Sequence, residues 1–532
     1  MTNNSAPING SFRDGGGVSA RWGVSVIDST VSNHYAGRGG GLYTQDGPMT
    51  ILRSTIRDNT ANGPGGGGAY KDGSTGTVVI AESTFSGNRN ILNGRGANGG
   101  GLYSTVAIAV SDSTFTDNHT TRDLSAGGAI YASHGGAIVR SLFEDNSVAG
   151  RDSDGGAIWT LGNLTIDGST FRNNSTNGQD GDGGAVHMSH GLVSNSTFVG
   201  NQTLGTDSDG GAIAYFGGFP ISTAVLAIVN TTIVDNGTAA SNSDGGGVYM
   251  YYDGNLDVRF STIAGNRVQH ATSRGGGIAF RDPTATTFGN GGITLWHSIV
   301  ADNMSPGGNP DAFLRIDSLV SNYSLIESTA GLTVGQLAAI NAGAGNLTGV
   351  DPLLAPIADN GGPTLTRALL PGSPALDAGD PAATFATTNL PRYDQRGFPY
   401  DRIAGARVDL GAVETQPTPA FADFDHDFDV DGADVLAWQR GLGTSAPDGT
   451  KAAGDADNDA DVDADDLSIW QAQFGAPTTA ATANATSVAE DVDALAISNS
   501  RADIDSLFAA GDFTVLFSDA KTTSRKLRTV RR

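Results

Sequence analysis

The sequence predicts an all-β chain, a right-handed parallel β-helix solenoid, followed by a small α-helical calcium-loop module and a flexible tail. Three observations predict it. A Ser/Thr-x-[Phe/Ile/Val]-x-x-Asn phrase recurs nine times at a period near 28 residues, a Gly pair punctuates each period, and 14 Asp crowd into residues 421–475 in a spacing that repeats after 32 residues. A fixed period of this size with two short β-prone segments per repeat reads as one solenoid coil per period. Helical repeats of similar length need long stretches of 3.6-residue periodicity, which this sequence lacks.

The first element is the Asn phrase. Its Asn residues are Asn59, Asn88, Asn118, Asn146, Asn174, Asn201, Asn236, Asn266 and Asn303, at steps of 29, 30, 28, 28, 27, 35, 30 and 37. An imperfect copy opens the series at Ser29-Thr30-Val31, with His34 in the Asn position. Such a column fits stacked side-chain amides inside a turn, each bonding the one above as in an in-register stack. About ten to twelve coils are expected, rising roughly 4.8 Å each. The long steps of 35 and 37 are expected to be surface insertions.

The second element is the Gly motif, which runs from GGGLY at 39–43 through GGAIY at 127–131 to GGGIA at 275–279. The Gly pairs fit corners with positive φ or close backbone stacking. Leu42, Leu102, Ile130, Ile158 and Val186 should then point inward. The residues after the aliphatic position, Tyr43, Tyr70, Tyr103, Tyr131, Trp159, His187, Ala214 and Tyr249, should point outward. This row has two readings: a strip on which the sugar rings of a polysaccharide stack, or aromatics covering their own sheet. Before the Gly pair stand Asp154, Asp182, Asp209 and Asp244, with Asp152, Asp180, Asp207 and Asn242 two residues earlier. Carboxylates stacked at one coil spacing repel unless water or a cation relieves them. The row is either a cation-binding acidic ladder or a set of solvated turn Asp.

Composition narrows the function. Gly is about one residue in seven, 76 of 532, without the G-X-Y period of collagen. The absence of Cys removes disulfides, thiolate nucleophiles, Cys-zinc sites and iron–sulfur clusters. No run approaches the roughly 18 apolar residues of a membrane span. A net charge of −25 repels nucleic acid and favours cations or neutral polymers as partners. There is no P-loop, GxSxG, HExxH or GxGxxG in a strand–turn–helix setting. His134, His187, His190 and His297 stand isolated, and no residue is assigned as catalytic.

The alternating GG[AG]IY and STFxxN phrases over about residues 8–330 resemble the repeats of polymorphic outer membrane proteins and related bacterial autotransporter-like surface proteins. Residues 309–414 lose the Asn phrase and read DPLL (351–354), DNGGPT (359–364), LPGSPALDAGD (370–380), DQRG (394–397) and DLGAVE (409–414). These phrases, in this order, resemble the choice-of-anchor Q region that ends many secreted bacterial β-helix proteins. The resemblance implies a surface or secreted protein. The expected organisation is β-helix repeats at 1–308, terminal coils and a cap at 309–414, a Pro-Thr linker at 415–420, a calcium module at 421–475 and a tail with a basic end at 476–532. A solenoid needs such a cap to cover its last apolar rung.

In the acidic module, Asp423, Asp425, Asp427, Asp429, Asp431 and Asp434 fall at loop positions 1, 3, 5, 7, 9 and 12, and Asp455, Asp457, Asp459, Asp461, Asp463 and Asp466 repeat them. This is the oxygen-ligand spacing of an EF-hand-like calcium loop, with position 12 closing the shell from a following helix. Short helices are expected at 435–441 and 467–474, with Trp438 and Trp470 in phase. A duplicated loop plus single helix resembles a type I dockerin, which implies two calcium ions and a cohesin-like partner. Position 6, usually Gly, is Phe428 and Ala460. The bland alternative is a solvated acidic linker.

No secretory leader opens the sequence, which suggests a misassigned or truncated start. The expectation is an extracellular or bacterial cell-surface protein that binds a polysaccharide or a partner surface and assembles through calcium. The competing expectation is a polysaccharide lyase or glycoside hydrolase on the same solenoid, tethered through the dockerin-like module.

Overall fold

The computed structural model describes residues 14–474, apart from 93–95, 218–223, 252–253, 282–291, 315–318, 385–389, 417–421, 426–428, 447–448 and 457–460. Asp427, Asp457, Asp459, Phe428, Ala460, most of the linker and the tail lie outside the described residues.

Each coil contributes up to four short strands. Leu102–Ser104, Ile108–Ser111, Thr114–Thr116 and His119–Thr120 form one such coil. Every strand pairs in parallel with its counterpart one period on, as in Leu102↔Ile130, Ile108↔Gly136, Thr114↔Leu142 and His119↔Ser147. The first two columns merge into a 20-stranded sheet, because Ile158–Asp167 and Val186–Ser194 run through both. The third and fourth columns form sheets of 12 and nine strands, giving about ten turns. The long repeat steps span 218–223 and 282–291, and the flanking strands keep register across them, as in Val186↔Ile213↔Val248 and Leu256↔Ile293.

The corners explain the Gly pairs, and the two glycines have different reasons. The first, from Gly39 to Gly275, holds φ between 60° and 71°, where a Cβ is strained. At the second, a Cβ would meet the next coil's carbonyl, for example Gly184 O at 2.0 Å from Gly156. Other corners use Asp and Asn at positive φ, including Asp58, Asp117, Asp145 and Asn173.

Inward side chains stack by type. Phe85, Phe115, Phe143, Phe171 and Phe198 form one buried column with ring centroids 4.6–4.9 Å apart. Each buried ring contributes on the order of 1.5–3 kcal/mol. The nine Asn stand in a single column, as their spacing predicts. Each Nδ2 donates to the next Oδ1 at 2.8–3.1 Å. That same oxygen also accepts the preceding Asn backbone N–H at 2.9–3.2 Å. A second ladder, unforeseen from sequence, runs through the Ser of the phrase: Ser54, Ser83, Ser113 and Ser141 each pass a backbone N–H to the next Oγ.

The solenoid ends on helix Val334–Ala342, whose Ile340 joins the core and whose Gln336 donates to the Leu314 carbonyl. The described parts of 351–414, residues 351–384 and 390–414, do more than cap this end. They return along the outer face of the third sheet. Gln395 there bonds Ser196, Thr197, Thr232, Thr364 and Leu365. Arg402 donates to Asn230, and the Thr262 hydroxyl accepts from the Ala412 N–H. DQRG and DLGAVE grip each other: Arg396 pairs with Asp394 at 2.6 Å and donates to the Glu414 carbonyl. Outward Thr197, Thr232 and Thr262 are therefore buried, whereas Thr55, Thr84, Thr114 and Thr170 stay half-buried.

Candidate functional site

The aromatic row and the acidic row lie side by side on the first strand and its leading corner. Tyr43, Tyr70, Tyr103, Tyr131 and Trp159 stack face to face, with centroids 5.6, 4.5, 4.7 and 4.6 Å apart. Ring faces are thus occupied by neighbouring rings. Tyr43, Tyr70 and Tyr249 are buried, not exposed, and Tyr103, Tyr131 and Trp159 present only part of their surface. Of the two readings of the row, the geometry matches aromatics that cover their own sheet, because in-register coils place identical rings within stacking distance. Arg38 seats over Tyr43 and Tyr70 and pairs with Asp14 and Asp72 at 2.8 Å. Burial pushes the Tyr70, Tyr103 and Tyr131 hydroxyls up to about 12.

The acidic ladder separates into two rows. Asp152, Asp180 and Asp207 hold φ of 51–55° at an outer corner, and Arg151 lies 3.3 Å from Asp180. The inner row caps backbone. Asp154, Asp182, Asp209 and Asp244 each accept the N–H of the equivalent residue one coil on, at 3.0, 2.7, 2.6 and 2.8 Å, ending on Arg274. Burial, then Asp209 and Asp154, push the Asp182 carboxyl well above its ordinary range. His187 Nδ1 sits 3.3 Å from Asp154 Oδ2, and Tyr249 reaches Asp209. The row is therefore a set of backbone caps tied to its neighbours rather than a solvated stripe. The other singled-out histidines have local partners: His134 Nδ1 and His190 Nδ1 each meet the hydroxyl of the preceding Ser, and His297 Nε2 accepts from the Asp380 N–H.

The module at 422–474 places helices at Gly432–Gly441 and Ala464–Gln473, each starting three residues earlier than expected. The cause is capping. Asp431 and Asp463, at loop position 9, are the N-caps, and Asp434 and Asp466, at position 12, complete both capping boxes. Asp434 accepts from the Phe424 and Asp431 N–H groups, and Asp466 from those of Ala456 and Asp463. Asp423, Asp434, Asp455 and Asp466 are buried. Among the described residues, carboxylate oxygens converge within 4.8 Å in three sets: Asp423, Asp425 and Asp434; Asp429, Asp431 and Asp434; and Asp461, Asp463 and Asp466. An all-oxygen donor set fits a hard cation such as calcium. Lys451 supplies positive charge toward Asp423 and Asp455, while its burial lowers its own pKa.

The two halves are joined in a way the sequence signalled only through phase. Trp438 Nε1 donates to the Asp463 carbonyl at 2.7 Å, and Trp470 Nε1 to the Asp431 carbonyl at 3.0 Å. Val430 and Val462 bury beneath Trp438 and Phe424 in one small core.

No helix among the described residues is long and apolar enough to cross a membrane. No curated protein and no solved structure matches the chain. Residues 98–298 match the family model for the right handed beta helix region. By geometry and by this match, the repeat region is a right-handed parallel β-helix.

Proposed function

We propose that this chain is an extracellular or cell-surface β-helix protein that contacts a polysaccharide or partner surface, and that residues 421–475 bind two calcium ions and assemble on a cohesin-like partner. The supporting observation is that carboxylates converge in both halves around a buried position-12 Asp, Asp434 with Asp423 and Asp425 or with Asp429 and Asp431 in one half, and Asp466 with Asp461 and Asp463 in the other. Burying several carboxylates together is costly, and a divalent cation offsets that cost while using oxygen donors alone. Asp423, Asp425, Asp429, Asp431 and Asp434 would hold the first ion, and Asp455, Asp461, Asp463 and Asp466 contribute to the second. A calcium-rich extracellular setting suits such loops.

Calorimetric titration of the full chain with calcium tests this reading. Two ions per chain are expected, and none after Asp423→Ala combined with Asp455→Ala. A flat wild-type titration overturns it. Turnover of acidic polysaccharides, read as reducing ends or as unsaturated product, would replace it with a lyase or glycoside hydrolase on the same scaffold.

A further inference from the structure

We infer that Trp438 and Trp470 are positioning residues that tie the two calcium loops into one cooperative binding unit; this rests on the calcium reading above. Each indole crosses from its own helix to the other half's loop, Trp438 to the Asp463 carbonyl and Trp470 to the Asp431 carbonyl. Those acceptors are not arbitrary. Asp463 is the ninth residue of the second loop and the N-cap of its helix, and its own N–H donates to Asp466 Oδ2, the closing carboxylate, at 2.7 Å. Asp431 holds the same place in the first loop, with its N–H on Asp434 Oδ2 at 2.8 Å. Two short bridges result, Trp438 to Asp463 to Asp466 and Trp470 to Asp431 to Asp434, and each starts on the helix that closes the opposite loop.

The bridges carry coupling for a physical reason. An ion that orders one loop fixes the N-cap peptide on which the other half's indole rests, so the second loop has less left to order. Ordering shared in this way appears as positive cooperativity, reciprocal between the sites. The halves are not equal. Trp438 is buried, and around it the Gly443 N–H bonds the Val462 carbonyl while the Val462 N–H bonds the Thr444 carbonyl. Trp470 is only half-buried. The bridge through Trp438 is therefore the stronger, and the second loop depends on it most.

The test is calcium titration of the full chain by calorimetry. Wild type should bind two ions with a Hill coefficient above 1. Trp438→Phe keeps an aromatic ring, removes the N–H and leaves every carboxylate ligand in place. Placed on Asp423→Ala, which leaves only the second loop, it should weaken the remaining ion about five- to tenfold, the loss of one buried hydrogen bond. Trp470→Phe on Asp455→Ala should weaken the first-loop ion by less, and it keeps the test open if the Trp438 variant does not fold. Two independent ions, with both Phe variants unchanged in affinity, overturn the coupling and leave the calcium reading standing. No ion bound by wild type overturns both.

Discussion

Asn303 donates from Nδ2 to Asp311 Oδ1 at 2.9 Å, so the amide ladder ends on a carboxyl group. The other oxygen, Oδ2, accepts the Ser328 N–H at 2.6 Å. Two incoming donors explain why Asp stands here in place of a tenth Asn, whose amide would present a donor to one of them.

Burial pushes Asp311 up to about 7, against the pull of those hydrogen bonds, and pushes Glu414 up to about 8, with Asp409 adding to the rise. Both folded-state values lie above the unfolded ones, so the folded chain keeps protons the unfolded chain has released. Stability then falls as pH rises toward 8. Below 6.5, His297 works in the opposite sense, because burial lowers it to about 3 and the unfolded imidazole gains a proton first. The fall should therefore be clearest between about pH 6.5 and 8, at up to roughly 1.4 kcal/mol per unit per group. Denaturant titrations across this range should show it, and Glu414→Gln should flatten the upper part. A stability flat from pH 6.5 to 8 contradicts the assignment.

Asn146 illustrates what one rung of the ladder holds. It accepts from the Asn118 N–H and Nδ2, and donates to the Phe115 carbonyl and Asn174 Oδ1. Asn146→Ala removes these four bonds and takes the side-chain acceptor from the buried Asn118 N–H, while Asn118 Nδ2 keeps the Phe85 carbonyl and Asn174 Oδ1 keeps the N–H of residue 146. The solenoid should be destabilised by about 2–4 kcal/mol. A loss below about 1 kcal/mol in chemical denaturation would mean that the ladder decorates the fold rather than holding it.

Tyr131 lies between Tyr103 and Trp159 with both ring faces covered. Tyr131→Ala should lower stability by about 2–4 kcal/mol, combining lost packing with lost stacking. Glycan contact is a separate question. Tyr103→Ala, Tyr131→Ala and Trp159→Ala combined, assayed well below the melting temperature, should weaken retention on insoluble polysaccharide if the exposed ring edges bind it. Undiminished retention retires that role for the row.

Gln395 fastens the returning segment to the third sheet through both ends of its amide. Gln395→Ala should cost about 2–4 kcal/mol and speed amide exchange in residues 360–416, while exchange in the coils around Phe85 and Phe115 stays slow. Uniform protection in both regions would show that the segment is held by other contacts.

The sequence by itself determined the coil. A period near 28 residues, a Gly pair at the corner and an inward Asn are local requirements of one turn, and stacking in register then aligns every copy, so Asn59 through Asn303 were legible as a column. The inward aliphatics followed from alternation, and the spacing of Asp423 through Asp434 and its repeat followed from loop geometry. What covers an outward face was decided by tertiary structure. Thr55 and Thr232 occupy equivalent places in the repeat, yet only Thr232 is buried, because Gln395 arrives from 163 residues away. The Tyr43-to-Trp159 row reads as exposed from alternation alone and stacks on itself because coil spacing matches ring spacing. The inner Asp row became caps because the turn aims each carboxylate at the next coil's N–H. In the module, the shared phase of Trp438 and Trp470 was visible, but the carbonyls they reach were not. A hydrogen bond across a pseudo-symmetric pair depends on how the two halves pack, which spacing along one strand of sequence does not encode.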